Sequence, residues 1–266
     1  MKTRIISGLI MAPLLIVVIL GGIVLKAFAF AVSIIAVYEF FKIHKKVDIR
    51  ASFPIAIASA VVLYLMNFLQ VDPKFYMLWL AGSVMVCLLY LFKINERIIE
   101  DAMLTITGIV YIVFFMFHLA WMVDFKEYKI LIWMVLITAF ITDIAAYFSG
   151  YFLGKYHIFG DRKLCPNISP KKTREGAVGG VVICAACSAA FGLIFTDGLW
   201  VHCLVMGILA SIAGQLGDLT ASIFKRKADI KDYGNLIPGH GGIMDRFDSI
   251  LFTAPVICWY IQIFIL

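Results

Sequence analysis

Charge is scarce in this chain: only 15% of its 266 residues are Asp, Glu, Lys or Arg, against 63% that are hydrophobic. With a mean hydropathy of +0.98, that shortage excludes a water-soluble domain, because the surface would have to be built largely from apolar side chains. Internal repeats, low-complexity tracts and a separable soluble domain are also missing. A disulfide framework is excluded too, since most of Cys87, Cys165, Cys184, Cys187, Cys203 and Cys258 fall inside apolar runs. Cys184 and Cys187 have CxxC spacing, yet no ligand-type residues flank them, so they read as packing residues.

What the chain does have is a succession of apolar runs, and about nine are long enough to cross a bilayer as helices. They lie near 5–25, 27–43, 52–69, 74–92, 103–122, 129–152, 176–195, 199–221 and 250–266. The expected fold class is therefore all-α, a polytopic integral membrane protein forming a single membrane domain. Residues 1–125 are expected to act as scaffold and 129–266 to carry the chemistry. The first two runs are divided only by Gly21, Gly22 and Lys26, read as a tight reversal; a snorkelling lysine would also allow one long tilted helix across 1–43. The opening MKTR with its apolar run resembles a signal peptide, and Ala27-Phe28-Ala29 offers a small-x-small site. The run is longer than the ~7–15 residues of such peptides, which favours a membrane span.

Cations are nearly absent from one side of this layout. With the N-terminus inside, the outer segments keep only Lys26, Lys74, Lys126 and Lys129 of the 23 Lys and Arg residues. The inner segments hold the rest, the bias expected of cytoplasmic loops. Both long polar loops, 153–175 and 222–249, then face the cytoplasm.

Ser222 to Asp248 is the longest polar stretch, with five cations, four aspartates, four glycines and a histidine. Such a mixture of both signs beside a membrane boundary suits phosphate together with a metal ion. Asp218 ends a stripe on the eighth run, Ser211, Gln215, Asp218 and Ser222, whose spacings of 4, 3 and 4 make one helical face. A carboxylate there is expensive unless it meets a partner or water. Asp245 and Asp248 stand three apart before the last run, and Arg246 between them is a candidate partner for either. Three carboxylates around one basic loop suit Mg²⁺ bridging to substrate phosphates. Gly239-His240-Gly241-Gly242, after Pro238, is a turn whose amides can approach a phosphate closely. His240 fits a metal ligand, phosphate donor, general acid, nucleophile or loop support. In the sixth run Asp143, Tyr147, Gly150 and Gly154 share a face. Ser169-Pro170-Lys171-Lys172-Thr173-Arg174-Glu175-Gly176 follows, with a dense cation group able to bind polyphosphate and with Thr173 and Glu175 where a helix should start. Glu39 reads as a structural residue near the cytoplasmic interface.

Ser222, Lys225-Arg226, Lys231-Asp232, Gly234, Pro238, His240-Gly241-Gly242, Asp245-Arg246 and Asp248 together resemble the signature of the CDP-diacylglycerol synthase (phosphatidate cytidylyltransferase) family. Further matching blocks are Asp143 with Ala146-Tyr147, Ser169 to Thr173 with Glu175-Gly176, and Gly214-Gln215-x-Gly217-Asp218-Leu219. The blocks cover about residues 140 to 250, while the N-terminal half matches only in hydrophobic layout. Arg174 and Ala221 depart from the pattern, where an aromatic and an acidic residue are common.

The resemblance implies that CTP and phosphatidic acid are converted to CDP-diacylglycerol and pyrophosphate, with Mg²⁺ and room for a second cation. It implies catalytic roles for Asp218, Asp245, Asp248 and His240, the three aspartates being the metal ligands. Substrate contacts are implied for Asp143, Ser169, Lys171, Lys172, Thr173, Ser222, Lys225, Arg226, Lys231, Gly241, Gly242 and Arg246. It also implies a multi-pass protein of the inner (plasma) membrane, with membrane lipid as partner, no nucleic acid, and scope for a homodimer. The rivals are a related cytidylyltransferase for ether lipids, a polyprenol kinase and an anion transporter. A transporter lacks support in the one-sided charge, the missing repeat and the missing outer gate. A CDP-alcohol phosphatidyltransferase is disfavoured because no DGxxAR motif is present.

Overall fold

A computed structural model describes residues 15–45, 48–156, 163–236 and 241–266. The expectations for Pro238, Gly239 and His240 lie outside the described residues, as do residues 5–14 of the first expected span. In lipid a chain must satisfy its backbone polar groups within each segment, which favours helices for a sequence this apolar. Among the described residues, seven helices are long and apolar enough to cross a membrane, and a shorter apolar helix joins them. They are α1 (Gly22–His44), α2 (Phe53–Phe68, the shorter one), α3 (Phe75–Phe92) and α4 (Ile99–Asp124), then α5 (Trp133–Leu153), α6 (Arg174–Phe195), α7 (Trp200–Lys227) and α8 (Met244–Phe264).

The break expected at Gly21, Gly22 and Lys26 falls on the glycines alone. Residues 15–20 are helical, Gly21 and Gly22 take φ values of 57° and 51°, and Lys26 is already inside α1. Positive φ is accessible to glycine without a steric penalty. The polar stretch is shorter as a loop than expected: α7 runs on to Lys227 and α8 starts at Met244. Lys225, Arg226 and Lys227 in the last turn of α7 and Asp245 in the first turn of α8 complement the helix dipoles, so charge extends these helices beyond their apolar segments. The 153–175 loop also contains structure, an antiparallel pair of β1 (Lys163–Cys165) and β2 (Ser169–Thr173).

Contacts divide the chain into two compact units, Met1–Asp124 with Ala228–Arg246, and Phe125–Lys227 with Phe247–Leu266. The first unit is packed by aromatics. Phe40 and Phe117 are fully buried, and the rings of Tyr64 and Tyr76 stand edge-on to Phe117 at 5.4 and 5.2 Å, a favoured aromatic geometry. Its polar residues gather at loop ends. Lys26 Nζ reaches both Asp124 oxygens at 2.7 and 2.9 Å, and Asn67 Nδ2 donates to Asp124 Oδ2 at 2.7 Å. Elsewhere Asp101 accepts the backbone N–H groups of Arg50 (2.6 Å) and Ile98 (3.3 Å). The alternating spans put 26, 67 and 124 on one side and 50 and 98–101 on the other, and these are the groups that meet.

The second unit is packed by small residues, which let helix backbones close up where lipid offers no hydrophobic drive. A methyl placed on Gly176 of α6 would lie 2.7 Å from Ala146 O of α5. The polar stripe of α7 faces these helices: Thr142 Oγ1 donates to Ser211 Oγ at 2.8 Å, and Gln215 Nε2 to Ala177 O at 3.2 Å. Thr173 caps α6, its Oγ1 accepting the Gly176 N–H at 3.1 Å.

Candidate active site

In the second unit the hairpin and α7 meet through charge. Lys172 Nζ, from β2, is ion-paired with Asp218 Oδ2, and both side chains are about one-quarter exposed, at 28% and 27%. Arg226 Nε donates to Ile168 O at 3.4 Å, tying the end of α7 to the turn of the hairpin. Asp248 lies within electrostatic reach of Asp218, Lys225 and Asp143. Gly217 is what allows α8 this close: a methyl there would lie 2.6 Å from Asp248 O and 3.1 Å from the Phe252 ring. Asp218 and Asp248 thus share a site with two lysines and with Asp143 in reach, and its Lys172–Asp218 side remains partly open to solvent. Such a group of charges can hold a hard cation on its acidic side and phosphate oxygens on its basic side.

In the first unit two carboxylates brace the described residues between α7 and the first turn of α8. Asp245 Oδ2 accepts the N–H groups of Tyr233 and Gly242 at 2.8 and 2.9 Å. Glu39, from α1, accepts the Met244 N–H on Oε2 at 2.9 Å, where the start of a helix welcomes an acid. Gly234 and Gly242 both pack against the Glu39 carboxylate; a methyl on Gly234 would lie 2.6 Å from Oε1. Tyr233 is buried, its ring 6.4 Å from that of Phe40.

The expected site residues therefore divide. Asp218 and Asp248 are together in the second unit, with Lys172, Lys225 and Asp143; Asp245 belongs to the first. Ser169 and Lys171 lie on β2, Lys171 exposed, and Ser222 is half-buried on α7. Thr173 has a capping role, and the Gly242 N–H is already taken by Asp245. Gly241 has a φ of 82° and abuts the Asp245 carboxylate. Lys231 and Arg246 are exposed in the first unit. Arg246 forms no ion pair among the described residues, so the pairing considered for it with Asp245 or Asp248 is absent there. Nor do the described residues contain a group of three or more His, Cys, Asp or Glu side chains placed to hold one metal ion. Glu39 is the residue that sequence reasoning undervalued. Its signal was a carboxylate in an otherwise apolar run, a costly placement that calls for partners.

Residues 2–264 match the sequence profile of the cytidylyltransferase family. The phosphatidate cytidylyltransferase of Bacillus subtilis (strain 168) is 33% identical to the chain, over 99% of this chain and 98% of its own length. The phosphatidate cytidylyltransferase of Staphylococcus haemolyticus (strain JCSC1435) is 34% identical, over 96% and 95%. The uncharacterized protein YnbB of Escherichia coli (strain K12) is 36% identical over 58% of this chain and 52% of its own.

Proposed function

The chain belongs to the cytidylyltransferase family, and from that premise we propose that it transfers the cytidylyl group of CTP to phosphatidate, yielding CDP-diacylglycerol and pyrophosphate. It is a multi-pass membrane nucleotidyltransferase. The observation that carries the reading is the grouping of Asp218 and Asp248 with Lys172 and Lys225 in one unit. Carboxylates alone would suit a cation and lysines alone an anion. Together they suit a reaction between two phosphates.

The described donor set fits Mg²⁺, which takes one or two carboxylates and completes its shell with substrate phosphates and water. Asp218 and Asp248 would hold it; Asp245, whose Oδ2 takes two loop amides, is assigned to shaping the loop. When bound, the ion neutralises phosphate charge and lowers the repulsion between two anionic substrates. Lys172 then exchanges its carboxylate partner for a phosphate oxygen, and Lys171, Lys225 and Arg226 hold CTP or the lipid headgroup from the cytoplasmic side. An anionic oxygen of phosphatidate attacks the α-phosphorus of CTP. The new P–O bond forms as the bond from that phosphorus to the bridging oxygen breaks, and pyrophosphate departs with the electron pair. The attacking oxygen is already ionised near neutral pH, so no strong base is required, and His240 is assigned a supporting role.

Purified protein given CTP and phosphatidate should form CDP-diacylglycerol and pyrophosphate in equal amounts. Without lipid, labelled pyrophosphate should not exchange into CTP. Absence of the liponucleotide product overturns the activity. Lipid-independent exchange that disappears in His240→Ala overturns direct transfer.

A further inference from the structure

Away from these aspartates, the first unit holds a cavity of about 640 Å³ at the junction of α1, α2 and the end of α3, and no acidic side chain lines it. Lys42, Lys45, Arg50, Lys93 and Arg97 all do. Among the described residues, neither the three lysines nor the Arg50 side chain forms an ion pair. Asp101, beside the cavity, is engaged by the backbone amides of Arg50 and Ile98 and stands 3.9 Å from Arg97 Nη1. The Arg97 guanidinium is held over the Tyr90 ring, 4.5 Å from its centre, and its buried Nε has no hydrogen-bond partner. An orphaned guanidinium donor at a cationic cavity points to an absent anion, and arginine suits phosphate.

Pro54 and Ile55 line this cavity and also a second one, of about 490 Å³, which runs between α2 and α3. There Val62, Trp79 and Val86 form the walls. Its few polar groups are satisfied internally: Ser59 Oγ and Ser83 Oγ share a hydrogen bond of 2.7 Å, and Trp79 Nε1 donates to Ser59 O at 2.9 Å. An apolar groove that shares Pro54 and Ile55 with a cationic cavity has the shape of an amphiphile with a phosphate head. We propose that the N-terminal half carries a binding site for an anionic glycerophospholipid of the surrounding bilayer, with its phosphate among the five cations and one acyl chain between α2 and α3. Positive-inside bias accounts for basic loops, but not for an unpaired buried donor or for a groove that shares its lining with the basic cavity. The proposal does not rest on the reading of Asp218 and Asp248.

Trp79 in the groove wall supplies the probe. Full-length protein is placed in phosphatidylcholine nanodiscs, and lipids with dibrominated acyl chains are titrated in. The quenching that is lost in Trp79→Phe is the signal. Brominated phosphatidylglycerol should quench Trp79 at much lower mole fraction than brominated phosphatidylcholine. Arg50→Gln combined with Lys93→Gln should weaken that preference roughly 30-fold, taking about 1 kcal/mol per basic residue at an anionic lipid. Both side chains are exposed, so the variant leaves no buried group unpaired. Millimolar glycerol phosphate should leave the quenching unchanged. Equal quenching by the two lipids, an undiminished preference in the double variant, or relief by glycerol phosphate would each overturn the proposal, the last by assigning the cavity to a soluble phosphate.

Discussion

Asp218 and Asp245 both belong to the blocks that match the family, yet they face different surroundings. Asp218 is ion-paired with Lys172 and about one-quarter exposed, whereas Asp245 is buried and accepts two backbone amides. Asp218→Asn keeps the shape and removes the charge that a hard cation needs. Its kcat should fall on the order of 10²–10³-fold, as for loss of one transition-state electrostatic group, and raised Mg²⁺ should restore part of it. Asp245→Asn can orient its amide oxygen toward the same two N–H groups, so its loss should be smaller and insensitive to Mg²⁺. Kinetics over a Mg²⁺ series separate the two, and identical responses would undo the division of labour. Glu39→Gln should also impair turnover, because Glu39 takes the Met244 N–H on Oε2 while Oε1 abuts Gly234, and glutamine must set a buried NH2 at one of these two positions. An unmet buried donor costs about 1–3 kcal/mol. The expected signature is a lower kcat with CTP binding changed less, measured by steady-state kinetics beside equilibrium nucleotide binding.

The hairpin and the cap of α6 show which elements the sequence discloses. Thr173 was readable as a helix start because Glu175 follows it and small residues lead into an apolar run, and the cap is present. Thr173→Ala should lower stability by about 1 kcal/mol while Thr173→Ser holds it, read as the thermal midpoint in detergent. The hairpin itself was not legible: Ser169-Pro170-Lys171-Lys172 has neither alternation nor β-branched residues, and it is held from outside, by Asp218 and Arg226. Helix ends were misjudged for a related reason. Apolar length gave the interior of α7, but its last turn is charged and continues on helix-dipole and tertiary grounds that hydropathy does not register.

Over the whole molecule, alternation of charge implies an orientation that the helices alone do not carry. Cys165 sits half-buried in the hairpin and is a natural reporter. In a variant retaining only that thiol, an impermeant maleimide should label intact cells poorly and inside-out vesicles readily. Ready labelling from outside would reverse the topology and with it the side from which CTP arrives. The all-α, many-span architecture was legible because each span depends on one continuous run, although seven long helices and a shorter one stand among the described residues where about nine were expected; the bracing of the loop was not legible, because Glu39 and Met244 are 205 positions apart. That separation is also a matter of time. At about 5–20 residues per second, roughly 10–40 s of synthesis pass between Glu39 leaving the ribosome and Met244 following it. For that interval α1 enters the bilayer carrying an acid whose eventual partners do not yet exist. Burial of Glu39 is therefore a late event in biogenesis, and a nascent chain truncated before Met244 holds this carboxylate against water or in its protonated form.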